Sequence, residues 1–334
     1  MNLQTVRTAR ASVVAVDAGG LLLRELIDYA GLFPPASLGM GAAVAGYDTY
    51  SRSEWNWMLG RFIVPVSRLA EFEEAFAGLP SSGDEGPINC RLSALLGADP
   101  VADVDRLREF NGRMAGEGSR KALVDSVEVK VAGSEEITRL SGVVPAEVVA
   151  YFEIPWSIPV SSRTECIRAL ADSGRRAKIR MGGETPDKFP LSESVIEFIN
   201  LCAAARVPFK ATAGLHHPLR SVHRLTYQPE SPTAMMHGFL NVFLAAAFLR
   251  AGMEASVAVR LLEERSERAF EFDSDGVAWR QHRLSRAEIA AARRDFAVSF
   301  GSCSFTEPID DLRSFSQTPL FAPLRKIPAI KHER

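Results

Sequence analysis

The chain has 334 residues, of which 46% are hydrophobic and 24% charged, and 39 Lys plus Arg against 41 Asp plus Glu give a net charge of −2. Such a chain can bury a large core, which excludes general disorder. The charge balance argues against a dedicated nucleic-acid binder, which carries a strongly basic domain.

Residues 1–60 show no regular strand–helix alternation and are expected to form a helical extension packing on the main domain. Within it, Gly31-Leu32-Phe33-Pro34-Pro35 reads as a rigid loop, and Trp55 and Trp57 read as packing residues. Asp28 and Tyr29 reach a site only if this segment folds over it; otherwise they end a helix and enter a turn. From residue 61 strands and helices alternate. Strands are expected at 61–66, 88–95, 124–131, 148–154, 177–181 and 207–213, from short β-branched or alternating runs. Residues 270–279 (FEFDSDGVAW) read as a small hairpin or a seventh strand, and 298–303 (VSFGSC) as an eighth. Helices are expected between them. Asp99-Pro100 supplies an N-cap followed by Pro at N1, and Ser-x-x-Glu spacing occurs at Ser162, Ser194 and Ser285.

Repeated βα units predict a parallel sheet, and seven or eight of them favour a (β/α)8 TIM-like barrel over an open doubly wound sheet. The expected organisation is thus α/β: a helical extension over 1–60, a barrel over 61–316 and an extended basic tail over 317–334. Cys90, Cys166, Cys202 and Cys303 form no CxxC pair, which leaves neither a zinc ribbon nor a disulfide scaffold and suggests a reducing cytoplasm. The most apolar stretch, 239–249, contains Asn241 and is too short for a bilayer, so it is expected as a buried helix. No Gly-x-Gly-x-x-Gly fingerprint or P-loop is present, which leaves a dinucleotide or ATP site unsupported. Neither nucleic acid nor membrane is expected as a partner. A homo-oligomer is open on general grounds.

A parallel barrel carries its active site at the C-terminal ends of its strands. Strand 207–213 runs into Gly214-Leu215-His216-His217, with Lys210, Thr212, Gly214 and His216 on one face if the strand continues. A lysine between Phe209 and Ala211 is a candidate Schiff-base nucleophile, because desolvation would lower its pKa. His216 and His217 are candidate acid/base groups. Lys178 and Arg180 share a face and suit an anionic group, with Glu153 as counter-charge or general base. Glu128 and Lys130 also share a face. Thr212, Ser302 and Cys303 are candidate substrate contacts. A rival reading is a metal-dependent lyase or hydrolase with His216, His217 and Glu153 as ligands to a divalent ion. A third is a barrel that only binds or assembles. No cofactor is otherwise expected.

The segments FKATAGLHHP (209–218), SFGSCSF (299–305) and DYAGLFPPA (28–36) resemble an uncharacterised family of bacterial proteins, which implies no activity. Lys210-Ala211-Thr212-Ala213-Gly214 also resembles the Lys-Thr-Ser-Thr-Gly strand of deoxyribose-phosphate aldolases, whose lysine forms a Schiff base. Lys178-Ile179-Arg180-Met181-Gly182-Gly183 is similar to that family's second lysine segment, although the two segments stand in reversed order here. The resemblance implies that Lys178 lowers the pKa of Lys210 by charge proximity. Residues and resemblance together give a small-molecule enzyme as the expectation. It would act on a small anionic or carbonyl-bearing metabolite by lysine-dependent lyase (aldolase-like) or isomerase chemistry.

Overall fold

The computed structural model describes residues 17–80, 88–115 and 120–315; the tail expected over 317–334 lies outside them. The elements begin with α1 (Ala18–Leu23), β1 (Ile27–Tyr29), α2 (Met40–Ser51), β2 (Leu59–Pro65), α3 (Leu69–Ala77), β3 (Ile88–Leu95), α4 (Pro100–Met114) and β4 (Arg120–Lys130). There follow α5 (Ser134–Ser141), β5 (Val149–Glu153), α6 (Val160–Asp172), β6 (Arg176–Arg180), α7 (Ser192–Ala205) and β7 (Phe209–Thr212). A long excursion carries β8 (Ser221–Arg224), β9 (Thr233–Met236), α8 (Phe239–Arg250), α9 (Ala255–Leu262), β10 (Phe270–Phe272), β11 (Gly276–Trp279), β12 (His282–Ser285) and α10 (Arg286–Asp295). The described chain closes with β13 (Ala297–Ser302) and α11 (Thr306–Ser314).

Eight parallel strands form a closed barrel in the order β1-β2-β3-β4-β5-β6-β7-β13, with β13 returning to β1. The (β/α)8 expectation therefore holds, with one strand where none was expected and one of two open readings decided. The first strand comes from Ile27–Tyr29, inside the supposed helical extension, and pairs with β13 and β2. Residues 270–279 take the hairpin reading and supply no barrel strand: β10 pairs antiparallel with β11, which pairs antiparallel with β12 in a separate three-stranded sheet. Phe270–Trp279 suits a strand locally, whereas Ile27–Tyr29 becomes one only through closure of the sheet.

Alternation along the strands sends apolar side chains outward against the helices. Phe62 of β2 meets Phe72 of α3 with ring centroids 5.4 Å apart, and Phe72 meets Phe110 of α4 at 6.2 Å. Burying each such ring contributes about 1.5–3 kcal/mol. The Asp99 carboxylate caps α4 by accepting from Ala102 N–H, and Ser285 with Glu288 forms the capping box of α10. The other two Ser-x-x-Glu signals fall inside helices: α6 starts at Val160 and α7 at Ser192, so Ser162 and Ser194 are not caps.

The N-terminal end of the barrel is fastened by one half-buried guanidinium. Arg293 of α10 donates to the carbonyls of Leu22 (2.7 Å) and Arg24 (2.9 Å) before β1 and to those of Ala297 and Val298 in β13. It thus joins the two chain segments whose strands close the barrel. Removing it orphans several carbonyls at once. Arg293→Met should therefore lower the unfolding free energy by about 3 kcal/mol, read from urea denaturation; a change below about 0.5 kcal/mol would show that the clamp is dispensable.

Candidate active site

The interior of a TIM barrel is ordinarily packed with branched apolar side chains. Here it holds a chain of alternating charges. The Lys210 ammonium is 2.7 Å from both Asp28 Oδ2 and Glu128 Oε1. The second oxygen of Glu128 lies 2.6 Å from Lys178 Nζ, which is 2.8 Å from Glu153 Oε2. Glu153 Oε1 in turn accepts from Arg180 Nε at 3.0 Å. Five strands contribute, and the register places Lys178 beside Lys210 and Glu153 beside Lys178.

Hydroxyl and amide donors complete the network. Ser93 Oγ donates to Glu128 at 2.8 Å, while Ser299 Oγ and the Arg61 backbone N–H donate to Asp28 at 2.7 and 2.8 Å. Burial by itself would push Glu128 toward the neutral acid. The Lys178 and Lys210 ammonium groups override it and hold Glu128 well below the ordinary carboxylate range. Burial likewise favours neutral Lys210, but Asp28 and Glu128 raise it above its ordinary value. The aldolase-like expectation that Lys178 lowers the pKa of Lys210 thus meets the opposite balance: the intervening carboxylates outweigh the second cation. Glu153 is lowered too, by Lys178 and Arg180 against its own burial.

Above this network opens a cavity of about 960 Å³ at the C-terminal ends of the strands. Glu128 and Lys178 reach its wall although each is only 3% exposed, so they form its deep end. Thr212 and Gly301 line it as well, and a Cβ on Gly301 would come within 3.0 Å of Ile63 and 3.3 Å of Thr212 Oγ1. Lys210 is 1% exposed and lies off the cavity wall, among its carboxylates. The barrel thus brings the lysine singled out by sequence to the site's support, and its neighbour Lys178 to the site's surface.

The face expected to run from Lys210 to His216 breaks after Thr212. Ala213 and Gly214 have φ of 59° and 68°, and a Cβ on Gly214 would meet the Gly182 Cα at 2.8 Å. That close approach of the β6 and β7 loops requires glycine and carries the histidines to the rim. There His216 Nδ1 lies 3.1 Å from Glu307 Oε2, and His217 Nδ1 2.6 Å from Asp311 Oδ2, both on α11. His217 stacks on His223 of β8 with centroids 3.3 Å apart. Burial, then the neighbouring His217, pushes His223 down to about 4, so it stays neutral near pH 7.

Cys303 lines the cavity as a buried thiol 3.8 Å from Tyr227 Oη, and burial raises its pKa. Ser302 does not reach the cavity, because its hydroxyl is used on the Ser304 carbonyl at 2.6 Å. Among the described residues no group of three or more His, Cys, Asp or Glu side chains is placed to hold a metal ion. None of their helices is long and apolar enough to cross a membrane. Sequence reasoning missed Asp28 as the partner of Lys210, and it missed Glu307 and Asp311 altogether. No protein-family model matches the chain, and no curated protein sequence matches it.

The network fixes an acid limit to stability. In the fold Glu128 stays ionised where the unfolded chain has already bound a proton, so its contribution is present above about pH 4.5 and lost as pH falls. Lys210 contributes in the opposite sense, below its unfolded value and lost only in strong alkali. The urea midpoint should be flat around neutrality and fall below about pH 5. Asp28→Asn, which strips Lys210 of one carboxylate, should cost about 3–5 kcal/mol at pH 7; a loss under about 1 kcal/mol would contradict the buried pair.

Proposed function

We propose that the protein is a lysine-dependent enzyme, a lyase of aldolase type or an isomerase, acting on a small anionic, carbonyl-bearing metabolite. The observation that carries this reading is Lys178 at the deep end of the cavity, 2.6 and 2.8 Å from Glu128 and Glu153. The anionic preference is supported by the wall, where among the described residues Lys130, Lys178, Arg180, Lys188 and Arg224 outnumber Glu128, Glu184 and Glu307.

In this reading Lys178, not Lys210, is the nucleophile. Its ammonium passes a proton to Glu153, and the free amine adds to the substrate carbonyl carbon. The resulting carbinolamine takes up a proton and loses water, leaving an iminium. That group accepts the electron pair released when a neighbouring C–H or C–C bond breaks, and hydrolysis by water later restores the amine. His216, held by Glu307, is the rim group suited to proton transfer. Lys210 is a positioning residue that orients Glu128 toward Lys178.

Borohydride reduction with pyruvate, acetaldehyde or dihydroxyacetone phosphate, followed by peptide mass mapping, tests the assignment. The expected result is one covalent adduct on Lys178, absent in Lys178→Met. An adduct on Lys210 would return the nucleophile to that residue. Turnover of a carbonyl substrate without any trapped adduct would remove the imine.

A further inference from the structure

The cavity holds cations of two kinds. Lys178 and Arg180 are committed to the carboxylates of the buried chain, although Arg180 engages Glu153 through Nε and its side chain remains 38% exposed. Lys130 and Arg224 also line the wall, both are exposed, and among the described residues neither has a carboxylate within ion-pair distance. Their places in the fold are far apart. Lys130 ends β4, whereas Arg224 ends β8, the first strand of the hairpin that follows β7. In the closed barrel β5 and β6 stand between β4 and β7, so the two charges address the cavity from different sides.

The wall also carries apolar side chains, among them Phe33, Pro35, Phe189, Leu225 and Met236. A volume of about 960 Å³ is at the upper end for a small-molecule site and exceeds what a three-carbon metabolite fills. We infer that the ligand is an elongated dianion with an apolar middle, one anionic group held by Lys130 with Arg180 and the other by Arg224. The inference deepens the proposed function by naming the substrate class, and it rests on that reading for the carbonyl between the two ends. Carboxylate and phosphate share the required chemistry, and Arg224 suits either through bidentate contacts.

Calorimetric titration with linear α,ω-dicarboxylates of about four to eight carbons, the matching monocarboxylates, and the corresponding alkanediol bisphosphates tests it. A dianion should bind at least about tenfold more tightly than the monoanion of equal length. Lys130→Gln and Arg224→Gln should each remove most of that advantage while leaving monoanion binding within about threefold. Both residues are exposed, and circular dichroism checks that the variants fold. The tighter of the two series with an anionic group at each end identifies the headgroup. Equal affinity for dianions and monoanions, an advantage that survives in both variants, or no saturable binding in either series would overturn the inference. None of these probes has an aldehyde or ketone carbonyl, so they cannot form an imine, and failure here is distinct from failure of borohydride trapping.

Discussion

Everything at the open end of this barrel depends on one carboxylate. Glu128 receives Lys210 on one oxygen and Lys178 on the other, at 2.7 and 2.6 Å, and a hydroxyl from Ser93. Two ammonium groups on register-paired positions of neighbouring strands would repel strongly in a dry interior. Glu128 between them turns that repulsion into two attractions. Asp28 and Glu153 then terminate the two lysines, and Arg180 carries the alternation to the cavity. Three carboxylates and three cations make the chain formally neutral, which is the condition for keeping so much charge out of water.

Neutrality does not make the network a good stabiliser. Buried ion pairs exchange lost hydration for Coulomb attraction, and apolar side chains of similar volume often stabilise a fold equally well. A barrel needs only filled volume at its centre, so the reason for charge has to be sought at the mouth. Depth divides the two lysines by role. Lys210 is held by Asp28 and Glu128 beside the Tyr151 ring, buried at 1% exposure and away from the cavity wall. Lys178 has the same strand position one strand over, but its end of the chain meets the cavity.

What was legible in the sequence follows the range of each interaction. Strand–helix alternation is local, so six barrel strands from β2 to β7 were readable from runs of a few residues. β1 was not: Ile27–Tyr29 is three residues long and lies between helices, and its strand character exists only through pairing with β2 and β13. Phe270–Trp279 left a hairpin and a barrel strand open, and the hairpin is what forms, its apolar residues buried in an antiparallel sheet of their own. Lys210 stood out as a cation between Phe209 and Ala211, but its partner Asp28 is 182 positions away and gives no signal of the pairing. Glu307 and Asp311 sit on an amphipathic helix where acidic residues are ordinary surface; only the fold brings them to the histidines.

The rim also explains a polar residue in an otherwise apolar helix. Residues 239–249 of α8 are buried throughout, because α7, α9 and α10 pack around the helix. Asn241 is fully buried, and its amide nitrogen donates to the carbonyls of Leu261 and Glu264 while its oxygen accepts from Arg220 N–H at 2.9 Å. The first N–H groups of α8 donate to the carbonyls of His217 and Pro218. A Cβ on Gly238 would stand 2.3 Å from both Asn241 Oδ1 and the Pro218 carbonyl, so glycine is what lets helix and loop approach so closely. The histidine loop is therefore anchored to a helix buried over residues 239–249 by hydrogen bonds that water cannot readily replace. A loop held in this way keeps His216 on Glu307 and His217 on Asp311 while the hairpin beyond it carries Arg224 to the cavity. Rigid core helix, anchored loop and charged hairpin form one mechanical unit, and that unit sets where the second charge of the mouth lies relative to Lys178.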